Sequence, residues 1–133
     1  MKIALAAALA SLFATAAFAQ DDLVPMDLAE VDPGMVEEFF GPWVIEDESG
    51  ARTCRVELKR EETIGGMAID VDEACAAVFP VMEEITAWRL MEGWTIVLAD
   101  ATRKSRLVFF TPDERYIARD DVDGISTIRQ ATP

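Results

Sequence analysis

The chain is 133 residues long, carries 25 acidic against 12 basic side chains for a formal net charge of −13, and contains two cysteines and no histidine. That length fits one domain, that charge opposes docking on nucleic acid or an anionic lipid surface, and the missing imidazole excludes Ser-His and Cys-His catalysis and removes the commonest zinc ligand. Carboxylate pairs remain, but a sugar-cleaving cleft asks for a larger chain, so the composition points to a protein that is not an enzyme and needs no cofactor.

Residues 1–19 read as an export signal: Lys2 supplies the positive start, Ile3 to Phe13 an apolar core and Ala17-Phe18-Ala19 the small-residue cleavage pattern, leaving Gln20 first in the mature chain. A membrane anchor would need about 20 apolar residues, whereas this stretch runs at once into Asp21 and Asp22. Cleavage removes Lys2 and no acid, so the exported form is one unit more negative, and nothing later is suited to span a bilayer. Beyond the reach of cytosolic reductants, the lone cysteine pair, Cys54 and Cys75, is expected to form one structural disulfide.

Gln20 to Val31 shows no sustained period and reads as an extended, mobile leader. Asp32-Pro33-Gly34 marks a helix start, with the acid as N-cap and proline at the first helical position; Met35, Val36, Phe39 and Phe40 supply one apolar face and Gly41-Pro42 ends it. From Trp43 the period becomes two. Trp43–Glu46, Cys54–Leu58, Met67–Val71, Trp88–Leu90, Trp94–Leu98, Leu107–Phe110, Tyr116–Arg119 and Ile125–Arg129 read as half-buried strands, with hairpin signals at Glu92-Gly93 and Asp123-Gly124. Between the third and fourth strands, Asp72 is placed to cap a short helical turn carrying Cys75, which Pro80 ends. Short strands joined by hairpins predict an all-β fold, an eight-stranded antiparallel up-and-down barrel with a short N-terminal helix and one disulfide. The organisation is therefore a signal peptide over 1–19, a leader and short helix over 20–40, and a barrel domain over 41–133.

Gly41-Pro42-Trp43 forms the G-x-W pattern found at the first strand of lipocalin-like barrels, where the tryptophan plugs one end. Arg129 in the last strand is placed to lie across Trp43 as a cation–π partner, because first and last strands are neighbours in a closed barrel. Asp120 to Gly124 fails the register of a calcium loop, since Arg119 would stand at the first ligand position, and reads as a turn with acidic flanks. Glu61-Glu62, Glu83-Glu84 and the basic run Arg103 to Arg106 read as solvated loop and hairpin charges.

Gly41-Pro42-Trp43-Val44-Ile45, Cys54-x-Val56-x-Leu58, Cys75, Trp88-Arg89, Leu98-Ala99-Asp100, Val108-Phe109-Phe110, Arg115-Tyr116 and Asp123-Gly124 together resemble the Inh/AprI family of bacterial metalloprotease inhibitors, over about Val36 to Arg129. The resemblance implies a periplasmic barrel that inhibits secreted zinc metalloproteases of the serralysin type, monomeric when free. Its N-terminal residues would leave the barrel and enter the protease cleft while barrel loops make a second contact. Carried to this chain, the inhibitory tip would be Gln20, Asp21, Asp22, Leu23 and Val24. The family's tip is short and opens with serines, so this acidic leader departs from the pattern.

Two other readings stand beside it. A lipocalin-like barrel can carry a small apolar ligand, although Trp43, Trp88, Trp94, Phe109 and Phe110 are bulky enough to fill the interior. An envelope scaffold that keeps the inhibitor fold without the activity is the other, favoured by the atypical leader.

Overall fold

A computed structural model of the protein describes residues 23–132, in which eight antiparallel strands close into an up-and-down barrel with each strand paired to the next and β8 returning to β1. The strands are β1 (Gly41–Asp47), β2 (Thr53–Thr63), β3 (Gly66–Val71), β4 (Ile85–Met91), β5 (Thr95–Asp100), β6 (Ser105–Phe110), β7 (Tyr116–Ala118) and β8 (Ile125–Gln130). A short helix α1 (Pro33–Glu37) precedes β1, while α2 (Cys75–Val78) and a 3-10 turn (Pro80–Glu84) link β3 to β4. The predicted architecture is therefore present, disulfide included.

The period-2 pattern builds the core. Trp43 and Ile45 from β1, Cys54, Val56 and Leu58 from β2, Ile96 and Leu98 from β5, and Leu107 and Phe109 from β6 all point into one apolar cluster. Alternation breaks in two places, and a register shift accounts for each. Ile85 and Trp88, three apart on β4, both reach the core because the β4–β5 register slips between Ile85 and Ala87. Ile125 and Ile128 do the same on β8, opposite the slip between Glu46 and Asp47.

The helix signals hold. Asp32 caps α1 by accepting the Gly34 N–H at 2.9 Å, with Pro33 in the first turn. Of the apolar face, Val36 and Phe39 are buried and Phe40 half-buried, while Met35 lies exposed. Asp72 receives the Ala74 and Cys75 amides, on its carboxylate and carbonyl respectively, and so turns the chain into α2. There Cys75 bonds Cys54 across 21 residues, with the Cα atoms 4.9 Å apart.

Three expectations are corrected. Phe110 points outward at 39% exposure because its neighbour Phe109 takes the inward position, and consecutive strand residues face opposite ways. Trp94 belongs to the three-residue loop before β5, at φ +62°, and not to the strand. The leader is not loose throughout: Val24 to Met26 are hydrogen-bonded to the barrel.

Candidate functional site

β4 has two neighbours, and they cover it unequally. β5 pairs with it from Ile85 to Met91, whereas β3, which begins only at Gly66, meets it at Met67–Trp88 and Ala68–Ala87 and stops short of Leu90. The edge at Leu90–Glu92 is thus left open on the β3 side, with backbone groups that need partners. The leader supplies them. Met26 N–H donates to the Leu90 carbonyl at 3.2 Å, Glu92 N–H donates to the Val24 carbonyl at 2.7 Å, and Pro25 faces Met91 in an antiparallel bridge.

These two bonds flank the Pro25–Met91 pair without belonging to it, so Pro25 occupies a non-hydrogen-bonded position and its missing N–H removes nothing from the ladder. Side chains fix the register. Leu23 packs outside the barrel on Met91, Val97 and Val108, while Met26, an odd number of residues on, packs against the main core. Val24 stays 53% exposed. A cleft of about 270 Å³ runs beside this segment, between the β2–β3 hairpin and β4, lined by Pro25, Met26, Leu28, Thr63, Met67 and Leu90 among others.

Of the expected inhibitory tip, Leu23 and Val24 are therefore placed on the β4 edge, while Gln20, Asp21 and Asp22 lie outside the described residues, as does the 1–19 signal. Sequence reading missed the seat itself, Leu90 to Glu92. The available signal was the apolar run Leu23-Val24-Pro25-Met26, too short to show a period.

Near the leader's seat, aromatic rings close the barrel. Trp43 is 3% exposed, and its indole N–H donates to the Phe39 carbonyl at 2.8 Å. Phe39 stacks on Trp43 and on Trp94, with centroids 6.0 and 5.6 Å apart, and Tyr116 meets both Phe39 and Trp43 edge-on. Burial pushes the Tyr116 hydroxyl pKa up. A cleft of about 390 Å³ opens beside this plug, between Glu38, Arg115, Tyr116 and Gln130.

Trp43 is thus the plug, but Arg129 is not its cation–π partner. In the β1–β8 register Gln130 faces Trp43, and Arg129 faces Val44, where it ion-pairs with Glu46. The cationic caps lie elsewhere: Arg60 over Phe40 at 4.8 Å and Arg52 over Phe79 at 5.1 Å. Arg52 also pairs with Asp47 at 3.1 Å and donates to the Val78 carbonyl, clasping the β1–β2 turn to the α2 connection.

Charged residues at the turns also build structure, and they draw in Arg106 and Glu84, which the sequence presents as solvated charges. Asp100, at 9% exposure, receives the Thr102 hydroxyl, the Thr102 and Lys104 amides and the Arg106 guanidinium. Arg106 continues to Glu84 at 2.6 Å. Asp123, in the β7–β8 turn, accepts the Val81 N–H at 2.7 Å. No group of three or more Cys, Asp or Glu side chains placed to hold a metal occurs among the described residues.

Comparison with known proteins agrees with this architecture. A search of curated proteins found no match to the chain. The family described as protease inhibitor Inh matches residues 34–126, from α1 to the start of β8, so the leader lies upstream of the matched region. With most of its length inside that match and a closed eight-stranded barrel stapled by Cys54–Cys75 behind it, the chain belongs to the protease inhibitor Inh family.

Proposed function

We propose that the protein is an exported, periplasmic inhibitor of secreted zinc metalloproteases of the serralysin type, which presents its N-terminal leader to the protease active-site cleft. The observation that carries this reading is the family match across the barrel. The leader supports it: at Val24 to Met26 it runs extended on the barrel surface, and a segment that continued extended ahead of that point would have the form in which a peptide fills protease subsites. A catalytic zinc keeps an open coordination position that an amine, carbonyl or carboxylate can fill, and Gln20, Asp21 and Asp22 offer all three. Export by the 1–19 signal would place the inhibitor where a producing cell meets its own protease before release.

The filled interior speaks against a small-ligand carrier, since Ile45, Phe79, Trp88, Ile96 and Phe109 are fully buried inside the barrel and the clefts lie around it. The acidic leader, upstream of the family match, favours the scaffold as the second reading.

Titration of a serralysin-type zinc protease with the mature protein tests the proposal. Activity is expected to fall linearly to a one-to-one equivalence point, and deletion of 20–24 to weaken inhibition at least a hundredfold while the barrel stays folded by circular dichroism. If the mature protein slows no such protease at micromolar concentration, the scaffold reading takes its place.

A further inference from the structure

We propose that Leu23 to Met26 form a positioning anchor, so that the part of the leader presented to a protease is only what precedes Leu23 and the contact face includes the Glu92–Trp94 loop. This rests on the inhibitor reading above. Three independent features carry it.

The backbone fit comes first. β3 leaves the β4 edge open where Val24 and Met26 bond to it, and proline stands at a position of the segment where a ladder bond is not required. Second, the side chains straddle the sheet as a strand's would. Leu23 covers the outer group Met91, Val97 and Val108, at 4%, 0% and 4% exposure, and Met26 covers the inner core. A segment swinging free of the barrel would bare both apolar contacts.

Third, the loop that offers the Glu92 amide is shaped at a conformational cost. Trp94 adopts φ +62°, a region a bulky side chain rarely occupies, and its ring lies parallel to Phe39 with an interplanar angle of 4°. That stacking ties the loop to the plugged end of the barrel, so the leader's exit point is held by the rigid part of the molecule.

Reach follows from the anchor. If the whole segment from Gln20 to Val31 were loose it could reach about 40 Å, but three residues ahead of Leu23 could reach at most about 10 Å. A zinc protease would therefore have to bring its cleft close to the Glu92–Trp94 loop. Rigid presentation also reduces the entropy lost when the tip binds.

Amide hydrogen exchange on the free mature protein, followed by a locking variant, tests this. The Met26 and Glu92 amides should exchange at least tenfold more slowly than the same Glu92 amide in L23D/M26P, whose barrel amides should remain protected. Exchange of native Met26 and Glu92 at the rate of an unstructured chain would overturn the anchor, whatever any protease does. Next, Pro25→Cys with Met91→Cys places a disulfide across the facing pair, where antiparallel Cα atoms at non-hydrogen-bonded positions lie about 4.5 Å apart, within disulfide range. The locked protein is expected to inhibit a serralysin-type protease within about threefold of native. A hundredfold loss on locking would show that the leader must leave its edge to work and would overturn the positioning role. If the native protein inhibits nothing, the inhibitor reading fails and the positioning role falls with it, while exchange still decides whether the leader is anchored.

Discussion

The indole of Trp43 donates its N–H to the Phe39 carbonyl at 2.8 Å, and the two rings stack 6.0 Å apart, so the residue that stoppers the barrel also holds the segment leading out of α1. Packing and hydrogen bonding can be separated here. Trp43→Phe keeps an aromatic ring against Phe39 and Tyr116 but leaves a buried carbonyl without its donor, a loss of about 1–2 kcal/mol. Trp43→Ala removes the plug as well and is expected to cost about 3–5 kcal/mol. Urea unfolding should show both as lower midpoints at constant slope.

Gly66, where β3 begins, has φ +149°, and a Cβ there would stand 2.4 Å from the Trp88 carbonyl oxygen and 3.1 Å from its carbon. Those atoms are backbone and have little freedom to retreat, because Trp88 is paired on both sides, with Met67 and with Leu98. Gly66→Ala should therefore part the β3–β4 seam, with a loss of about 2–4 kcal/mol. Gly93 also has positive φ, at +80°, but a Cβ there would meet nothing within 4 Å. Gly93→Ala should then lose only about 1 kcal/mol, the conformational penalty alone. Equal melting temperatures for the two variants would contradict the close approach at Gly66.

Much of the barrel is legible as alternation, because a half-buried strand writes its two faces directly into the sequence: Cys54, Val56 and Leu58 face in while Arg55 and Glu57 face out. What the pattern cannot carry are the register slips. Ile85 and Trp88 break period two, and the cause lies in how β5 pairs, which local sequence does not state. Arg129 illustrates a further limit: adjacency of β1 and β8 was readable, but whether Arg129 faced Trp43 or Val44 depended on a register set across the chain. The leader's seat was hidden for the same reason, since the open edge exists because β3 begins only at Gly66, with Met67 already opposite Trp88, so that no β3 residue reaches Leu90.

Acid should unfold the barrel partly through Asp100. The Thr102 hydroxyl, then the Lys104 and Thr102 amides and the Arg106 guanidinium, hold its carboxylate ionised and lower its pKa to about 2, against the pull of burial. The folded state thus binds this proton less readily than the unfolded chain, whose aspartates titrate near about 3.9. The stabilisation is complete above about pH 4 and is lost as pH falls toward 2. Asp113, bonded by the Arg115 amide and guanidinium, shifts the same way, as does Asp47, where burial pulls upward and the bonds from Arg52 prevail. Asp100→Asn should accordingly flatten, without abolishing, the fall in melting temperature between pH 4 and pH 2. An unchanged slope would remove Asp100 from the acid response.

Asp123 combines two roles that substitution can part. Its backbone sits at φ +54°, and its carboxylate accepts the Val81 N–H at 2.7 Å, joining the β7–β8 turn to the 3-10 turn after α2. Asparagine tolerates the left-handed region and keeps an acceptor oxygen, so Asp123→Asn should stay within about 0.5 kcal/mol of native. Glycine suits the backbone but loses the bond, which predicts a loss of about 1 kcal/mol. Alanine loses the bond and adds the left-handed penalty of about 1–2 kcal/mol, for a total of about 2–3 kcal/mol. The order Asn, Gly, Ala in melting temperature, together with faster exchange of the Val81 amide in the last two alone, is the expected signature. Were Gly and Ala equal, backbone strain would have no part, and were Asn as damaging as Ala, the carboxylate's charge and not its acceptor oxygen would hold the turn.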